Sequence, residues 1–331
     1  MKIVVDAMGG DYAPESIVAG VAEAIKEFDV NIVLVGIEDR IRAELKKHEY
    51  PGDRIEIAHA PTIVEMHEPA TASLRSKKDS SISIGVNLLK EEGYDAFVSA
   101  GNTGAVVAAS TIYLGMLNGV ERPAIGLVIP TLKDFAFLID VGANTDPKPE
   151  HLLQSALMAQ VYAKEVLGVN NPKVGLMNIG EEAGKGSVFS KETFKLMEER
   201  VVDFNGNVEA NDIFKGEHDC IICEGVMGNI VIKISEGLME SAAALLRREI
   251  SKSPIALAGA FLMKSRLHHI KKLADYTEYG GAPLLGVNGI VMISHGRSSP
   301  KAIKNAIRAT IREIEHHILD VMTERVARTA I

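Results

Sequence analysis

The chain has 331 residues, 47% hydrophobic and 24% charged, enough apolar material for a substantial core and too little charge bias for disorder. Its formal net charge of -8 excludes a general nucleic-acid binder, which needs excess Lys and Arg to displace counterions from phosphates. No apolar run is long enough to cross a bilayer, and the opening MKIVVDAMGG is too short in its apolar part for a secretory leader, so a cytoplasmic location is expected. Short β-branched runs then alternate with longer helical patterns. Lys2 to Val5 reads as a strand, Glu15 to Phe28 as a helix, Val30 to Gly36 as a strand, Asp39 to His48 as a helix and Arg54 to Ala58 as a strand. Next come a helix from Ser81 to Glu92, a strand from Asp95 to Ser99 and a helix from Gly104 to Leu117. Strands follow at Ala124 to Pro130 and Phe135 to Val141, then a helix from His151 to Leu167, a strand from Lys173 to Asn178 and a helix from Ser187 to Arg200. A strand at Asp219 to Cys223 and a final helix from Pro300 to Arg328 complete the series.

Such alternation predicts a mainly parallel sheet covered by helices on both faces, with ligands beyond the carboxyl ends of the strands. Ser299-Pro300 supplies an N-cap and a first-turn proline, and Ile303, Ile307, Ile311, Ile314 and Ile318 then recur at helical spacing, a stripe for core or subunit contact. No internal repeat or Pro/Ser-rich linker divides the chain, so residues 1–331 are expected to form one unit. Cys220 and Cys223 are the only cysteines. A redox pair or half a zinc site is conceivable from C-x-x-C, but the apolar run around them reads as a buried strand end, and no second ligand pair completes a metal set.

The turns after the strands carry the chemistry. Ser99-Ala100-Gly101-Asn102-Thr103-Gly104-Ala105 puts small residues before a helix whose free N–H groups favour an anion. Asn178-Ile179-Gly180-Glu181-Glu182-Ala183-Gly184-Lys185-Gly186-Ser187 again opens a helix, with a lysine between glycines. It echoes a P-loop, yet glycine separates lysine from serine and two glutamates would repel a polyphosphate, which leaves a single-phosphate or acyl-phosphate site. Asp6 to Asp11, Asp140 to Asn144 and Cys223 to Asn229 are further turns of this kind. Converging at one edge of a parallel sheet, they would make a polar pocket of phosphate size. No G-x-G-x-x-G with a downstream ribose-binding acid is present, which disfavours a dinucleotide oxidoreductase.

In order, DAMGGD at Asp6 to Asp11, KKDSSI at Lys77 to Ile82, SAGNTGA at Ser99 to Ala105, DVGAN at Asp140 to Asn144, GEEAGKG at Gly180 to Gly186 and YGGAPLLGVNG at Tyr279 to Gly289 closely resemble the PlsX family of phosphate acyltransferases. The resemblance spans nearly the whole chain. One departure is Val226, in a turn where family members commonly carry an aromatic residue. The resemblance implies a Rossmann-like three-layer α/β/α sandwich, similar to phosphotransacetylases and isopropylmalate-type dehydrogenases. It also implies transfer of a long-chain acyl group from acyl carrier protein to inorganic phosphate, with no cofactor or metal. The acyl phosphate would feed a membrane glycerol-3-phosphate acyltransferase in phospholipid synthesis. Phosphate is then the nucleophile, and the site must hold two anionic reactants and stabilise a tetrahedral oxyanion. Lys185, Asn102, Thr103, Gly104 and Gly186 are the expected phosphate ligands, with Asn229 and Asn144 donating to phosphate or the thioester oxygen. Asp6, Gly9, Gly10, Gly180 and Glu181 would line the pocket, and His295 is a candidate acid for the leaving thiol, although a lone His there also reads as structural.

From Glu236 to Asp275 a helical pattern broken at Ser253-Pro254 reads as a projecting hairpin. Between Arg247 and Lys272, the basic residues Arg247, Arg248, Lys252, Lys264, Arg266, Lys271 and Lys272 stand against the single acid Glu249, beside Leu257 and Phe261. Basic and apolar residues together suit an anionic membrane surface, an acidic carrier protein or a buried dimer contact. The family implies both a homodimer and peripheral attachment to the inner face of the cell membrane. Two rivals stay open, a CoA-dependent phosphotransacetylase and a noncatalytic acyl-carrier or lipid-binding scaffold.

Overall fold

Strands buried on both faces carry unbroken apolar runs, and the central strands of this chain do so. The computed structural model describes residues 1–267 and 280–329. The first part runs β1 (Lys2–Asp6), α1 (Glu15–Glu27), β2 (Asn31–Gly36), α2 (Glu38–Leu45), β3 (Ile55–His59), α3 (Ala70–Ser76), α4 (Ser81–Leu88), β4 (Ala96–Ser99) and α5 (Thr103–Tyr113). There follow β5 (Ala124–Pro130), β6 (Phe135–Ile139), α6 (Pro149–Glu165), β7 (Val174–Met177), α7 (Val188–Arg200), β8 (Phe204–Val208), β9 (Cys220–Ile222), α8 (Gly225–Ser251) and α9 (Pro254–Leu262). The chain returns through β10 (Ala282–Leu285), β11 (Ile290–Ile293), α10 (Pro300–Glu315) and α11 (Ile318–Thr329).

These strands form one sheet in the order β3-β2-β1-β4-β11-β10-β5-β6-β9-β7-β8. β1 is parallel to β2 and β4, β2 to β3, and β4 to β11. On the far side β6, β9, β7 and β8 are parallel in turn. Between the blocks, β10 is antiparallel to β11 and β5, and β5 is antiparallel to β6. The sheet is therefore mainly parallel within each half, but the halves run in opposite directions. The cause is the short turn of residues 131–134, where Thr131 N–H donates to Asp134 O at 3.0 Å. A connection that short can join only antiparallel strands.

Close packing places the helices. On one face α1 meets α10, where a Cβ on Gly20 would lie 2.6 Å from Ile303 Cβ. In the other half the Phe137 and Tyr162 rings stack with centroids 4.6 Å apart, beneath Gly126, where a side chain would overlap the Phe137 ring. The expected single C-terminal helix is two, because His317 adopts φ 48° and turns the chain. Ile303 and Ile307 thus enter the core under α1, while Ile318 enters the core under α6. β8, β10, β11 and α3 were not expected; they are short, and Pro283 and Gly206 blur the strand pattern. Cys220 and Cys223 are buried in and just after β9, where burial holds both thiols well above their usual range.

α8 begins at Gly225, earlier than the expected Glu236, and its 27 residues span about 40 Å. Only Gly225 and Gly228 of it are buried, and α9 buries nothing. Ser253 caps α9 through Ala256 N–H at 3.3 Å. Ile234, Leu238, Ile255, Phe261 and Leu262 are each more than 60% exposed. Lys271, Lys272 and Tyr279 lie outside the described residues. Among those described, no helix is long and apolar enough to cross a membrane.

Glu313 of α10 is buried, and Tyr162 Oη of α6 donates to it at 3.0 Å. Burial pushes its carboxyl up to about 8, with the Tyr162 hydrogen bond pulling the other way. The fold therefore favours the protonated acid: that stability is complete below the ordinary 4.5 and is lost as pH rises toward about 8. Urea unfolding should show stability falling across this window, by at most about 1.4 kcal/mol per pH unit. Glu313→Gln should flatten the slope; an unchanged slope would remove Glu313 as its source.

Candidate active site

A carboxylate at the end of a buried strand must find donors nearby, and backbone N–H groups of the following turn are the nearest. Asp6 ends β1 at 1% exposure. Its oxygens accept from Ser99 Oγ at 2.8 Å and Met8 N–H at 3.0 Å. Burial raises its pKa, opposed by hydrogen bonds from Ser81, Ser99, Met8 and Gly9. Ser99 Oγ in turn accepts from Gly101 N–H at 3.0 Å. This draws the β1 and β4 turns so close that a Cβ on Gly9 would lie 2.9 Å from Gly101 Cα, and Gly10 takes φ +100° beside Gly296.

Asn102 caps α5, accepting from Ala105 N–H at 3.0 Å, while its Nδ2 reaches the carbonyls of Glu65, Met66 and Glu68 at 3.0–3.2 Å. Its amide is thus engaged in building the turn, and Thr103 and Gly104 are what the turn exposes. Lys77 of the KKDSSI motif ties the same loop down through Ile63 O and Glu68. Its hydrogen bond holds the Glu68 carboxyl down to about 2. His295, after β11, is exposed, and its Nδ1 accepts from Arg297 N–H at 3.1 Å.

Asp140, after β6, plays the part of Asp6 in the other half. Its Oδ1 accepts from the N–H groups of Ile125, Gly142 and Ala143 at 2.9–3.0 Å, and its Oδ2 from Asn144 N–H at 2.7 Å. Asn144 Nδ2 donates to Pro123 O and to Asp140 Oδ2, and Asn144 O accepts from Gly225 N–H at 3.0 Å. A Cβ on Gly228 would overlap Asp140 O, so α8 starts hard against this turn. Asn229 follows, half-buried on the first turn of α8.

The third turn lies after β7. Asn178 Nδ2 donates to Lys185 O at 3.2 Å and to Asn207 Oδ1 at 3.1 Å, and Asn207 Nδ2 donates to Glu182 O at 2.9 Å. Gly186 has φ +88°, and a side chain there would overlap Asn178 Oδ1. Ser187 caps α7 through Ser190 N–H at 3.2 Å. Gly180 is buried under the turn, whereas Glu181 and Lys185 are exposed. A polar cavity of about 300 Å³ opens beside it, lined by Glu181, Asn205, Asn207, Asp212, Glu217 and His218 among others.

The expected convergence at one edge is therefore corrected. Because the sheet reverses, Asp6, Gly9, Gly10, Asn102, Thr103, Gly104 and His295 leave one edge, and Asn144, Asn229, Gly180, Glu181, Lys185 and Gly186 leave the other. The second set shares neighbouring strands β6, β9 and β7. Asn178 and Asp140, read in sequence as turn residues without a bracing role, and Asn207, not singled out there, brace these turns; an Asn-Gly-Asn run inside a strand was the visible signal for Asn207. Among the described residues no group of three or more His, Cys, Asp or Glu is placed to hold a metal.

A family profile described as "fatty acid synthesis protein" matches residues 1–320. A phosphate acyltransferase from Dictyoglomus turgidum is 48% identical over 317 residues, 95% of this chain and 94% of that protein. One from Desulfitobacterium hafniense is 47% identical over 329 residues, 99% of this chain and 98% of that protein. A solved phosphotransacetylase from Streptococcus pyogenes, 17% identical, superposes with a TM-score of 0.61 over 95% of this chain and 94% of its own, and so shares the fold.

Asp140→Asn would set an amide donor against a cluster of backbone donors. Each donor left unsatisfied costs about 1–3 kcal/mol, so the urea midpoint should fall clearly. A midpoint equal to that of the parent would deny Asp140 its anchoring part.

Proposed function

The chain belongs to the fatty acid synthesis protein family and is a phosphate acyltransferase, and from this premise we propose how its turns perform the transfer. The substrates are a long-chain acyl thioester of acyl carrier protein and inorganic phosphate; the products are acyl phosphate and free carrier, which supply phospholipid synthesis. A phosphate oxygen attacks the thioester carbonyl, the tetrahedral oxyanion collapses, and the carbon–sulfur bond breaks. Hydrogen phosphate brings the proton that the departing thiolate takes up, so no enzyme-bound acyl intermediate is needed.

The observation that carries the assignment is Lys185, an exposed ammonium on a backbone held rigid by Asn178 and Asn207. Phosphate sits against Lys185 Nζ and the Gly186 N–H, with Asn229, whose side chain is engaged by no other described residue, donating to phosphate or to the oxyanion. Asn144 and Asn102 act through the turns they build. Thr103, Gly104 and His295 follow strands that end at the other edge of the sheet, and the phosphate is assigned without them. A CoA-dependent phosphotransacetylase would need only the same polar turns, and acetyl-CoA offered against long-chain acyl carrier protein separates the two.

The α8–α9 hairpin is proposed to serve both the homodimer and the membrane. Arg248 and Lys252 pair with Glu249, whereas Arg247, Lys264 and Arg266 have no ion pair among the described residues and are exposed beside Leu257 and Phe261. That combination suits anionic lipid headgroups and an acidic carrier. It would hold the enzyme peripherally at the inner face of the cell membrane, where a glycerol-3-phosphate acyltransferase could take its product.

Incubation with palmitoyl carrier protein and labelled phosphate should yield a hydroxylamine-sensitive labelled acyl phosphate. Lys185→Ala should cut turnover at subsaturating phosphate by at least about tenfold with the fold intact; if Thr103→Ala is the damaging change instead, the phosphate has been put at the wrong edge. Replacing Leu257 and Phe261 by Glu should abolish sedimentation with anionic vesicles, and unchanged sedimentation would refute the lipid contact.

A further inference from the structure

Lys185 shares its turn with two carboxylates, Glu181 and Glu182. Its ammonium lies 3.7 Å from Glu182 Oε2. Both side chains fold over Gly180, where a Cβ would meet Lys185 Cγ at 2.9 Å and Glu182 Oε2 at 3.1 Å. They are nevertheless 52% and 71% exposed, so the pair stands in water. The backbone beneath them is fixed: Glu182 O accepts from Asn207 Nδ2 at 2.9 Å and from Lys185 N–H at 3.0 Å, and Lys185 O accepts from Asn178 Nδ2 at 3.2 Å. The two side chains can change partners while the turn stays still.

We infer that Glu182 is a positioning residue whose carboxylate holds the Lys185 ammonium when phosphate is absent and is displaced when phosphate binds, so that it sets how much phosphate the enzyme requires. The inference rests on the reading of Lys185 as the phosphate partner. Both anions seek the same ammonium, and phosphate carries the greater charge, so the exchange runs toward substrate. An exposed ion pair is weak, and it opposes a competitor by only about two- to fivefold in a binding constant. The Glu182 side chain therefore moderates affinity without blocking the site, and its carbonyl, which braces the turn, is untouched by a side-chain change.

The test is phosphate saturation at fixed, saturating acyl carrier protein, with a phosphate-induced thermal shift as a measure of binding apart from turnover. Glu182→Gln should lower the phosphate KM about two- to fivefold and shift the thermal midpoint to lower phosphate, with kcat moving less than KM. Glu182→Asp should stay near the parent, because a carboxylate remains. If Glu182→Gln leaves KM unmoved or raises it, or loses kcat with no fall in KM, while Lys185→Ala still loses its response to phosphate, the inference is overturned and the reading of Lys185 stands. If Lys185→Ala keeps the parental phosphate KM, that reading itself fails.

Discussion

Two carboxylates turned inward at strand ends hold the working edges of this protein. Asp140 accepts four backbone N–H groups from two stretches of chain: residue 125 at the start of β5 and residues 142–144 of its own turn. A charged group so nearly buried is tolerable only because every lone pair has a donor, and the same bonds fix where Asn144 and the start of α8 lie. Asp6 does this with Ser99 and Met8 in the first half. The glycines beside both carboxylates follow from the anchoring, since backbones pulled that close leave no room for a Cβ at Gly9 or Gly228.

The reversal between the halves decides what one chain can bring together. A crossover helix between β5 and β6 would have kept β6, β9, β7 and β8 parallel to the first block and opened their turns at its edge; the four-residue turn does not. Its sequence, Thr131-Leu132-Lys133-Asp134, lies between two apolar runs and is far too short for a helix, so the reversal was visible in outline. What could not be seen was strand order, because β11 enters beside β4 from nearly two hundred residues away. No local pattern carries that pairing. β8 hid because FNGNV has a single β-branched residue where β1 and β2 have several, and its Asn207 serves the neighbouring turn rather than the sheet. The division at His317 hid because a non-glycine residue in the left-handed region leaves no mark in composition.

The site was legible to the level of motif and no further. Glycine, lysine and asparagine after a strand announce a seat for an anion, a reading that accords with relatives that are phosphate acyltransferases. The roles within the motifs were not legible, because they depend on which hydrogens are already engaged. Asn102 and Asn144 look like ligands in sequence, yet their amides answer backbone carbonyls. Lys77, visible in sequence only as part of KKDSSI, is a clasp on Glu68. Only the folded chain distinguishes a side chain that serves its own loop from one left for a guest.

α8 makes the Asp140 turn one end of a lever. Its root is pinned at Gly228 against the Asp140 carbonyl, and the next residue is Asn229. Val231 and Ile232 still pack on the core, and beyond them a stiff rod of about 28 Å extends without a buried residue. A small tilt imposed at its far tip becomes a torque on the turn at its root, so load on the hairpin is transmitted to Asn229 and the Asp140 turn.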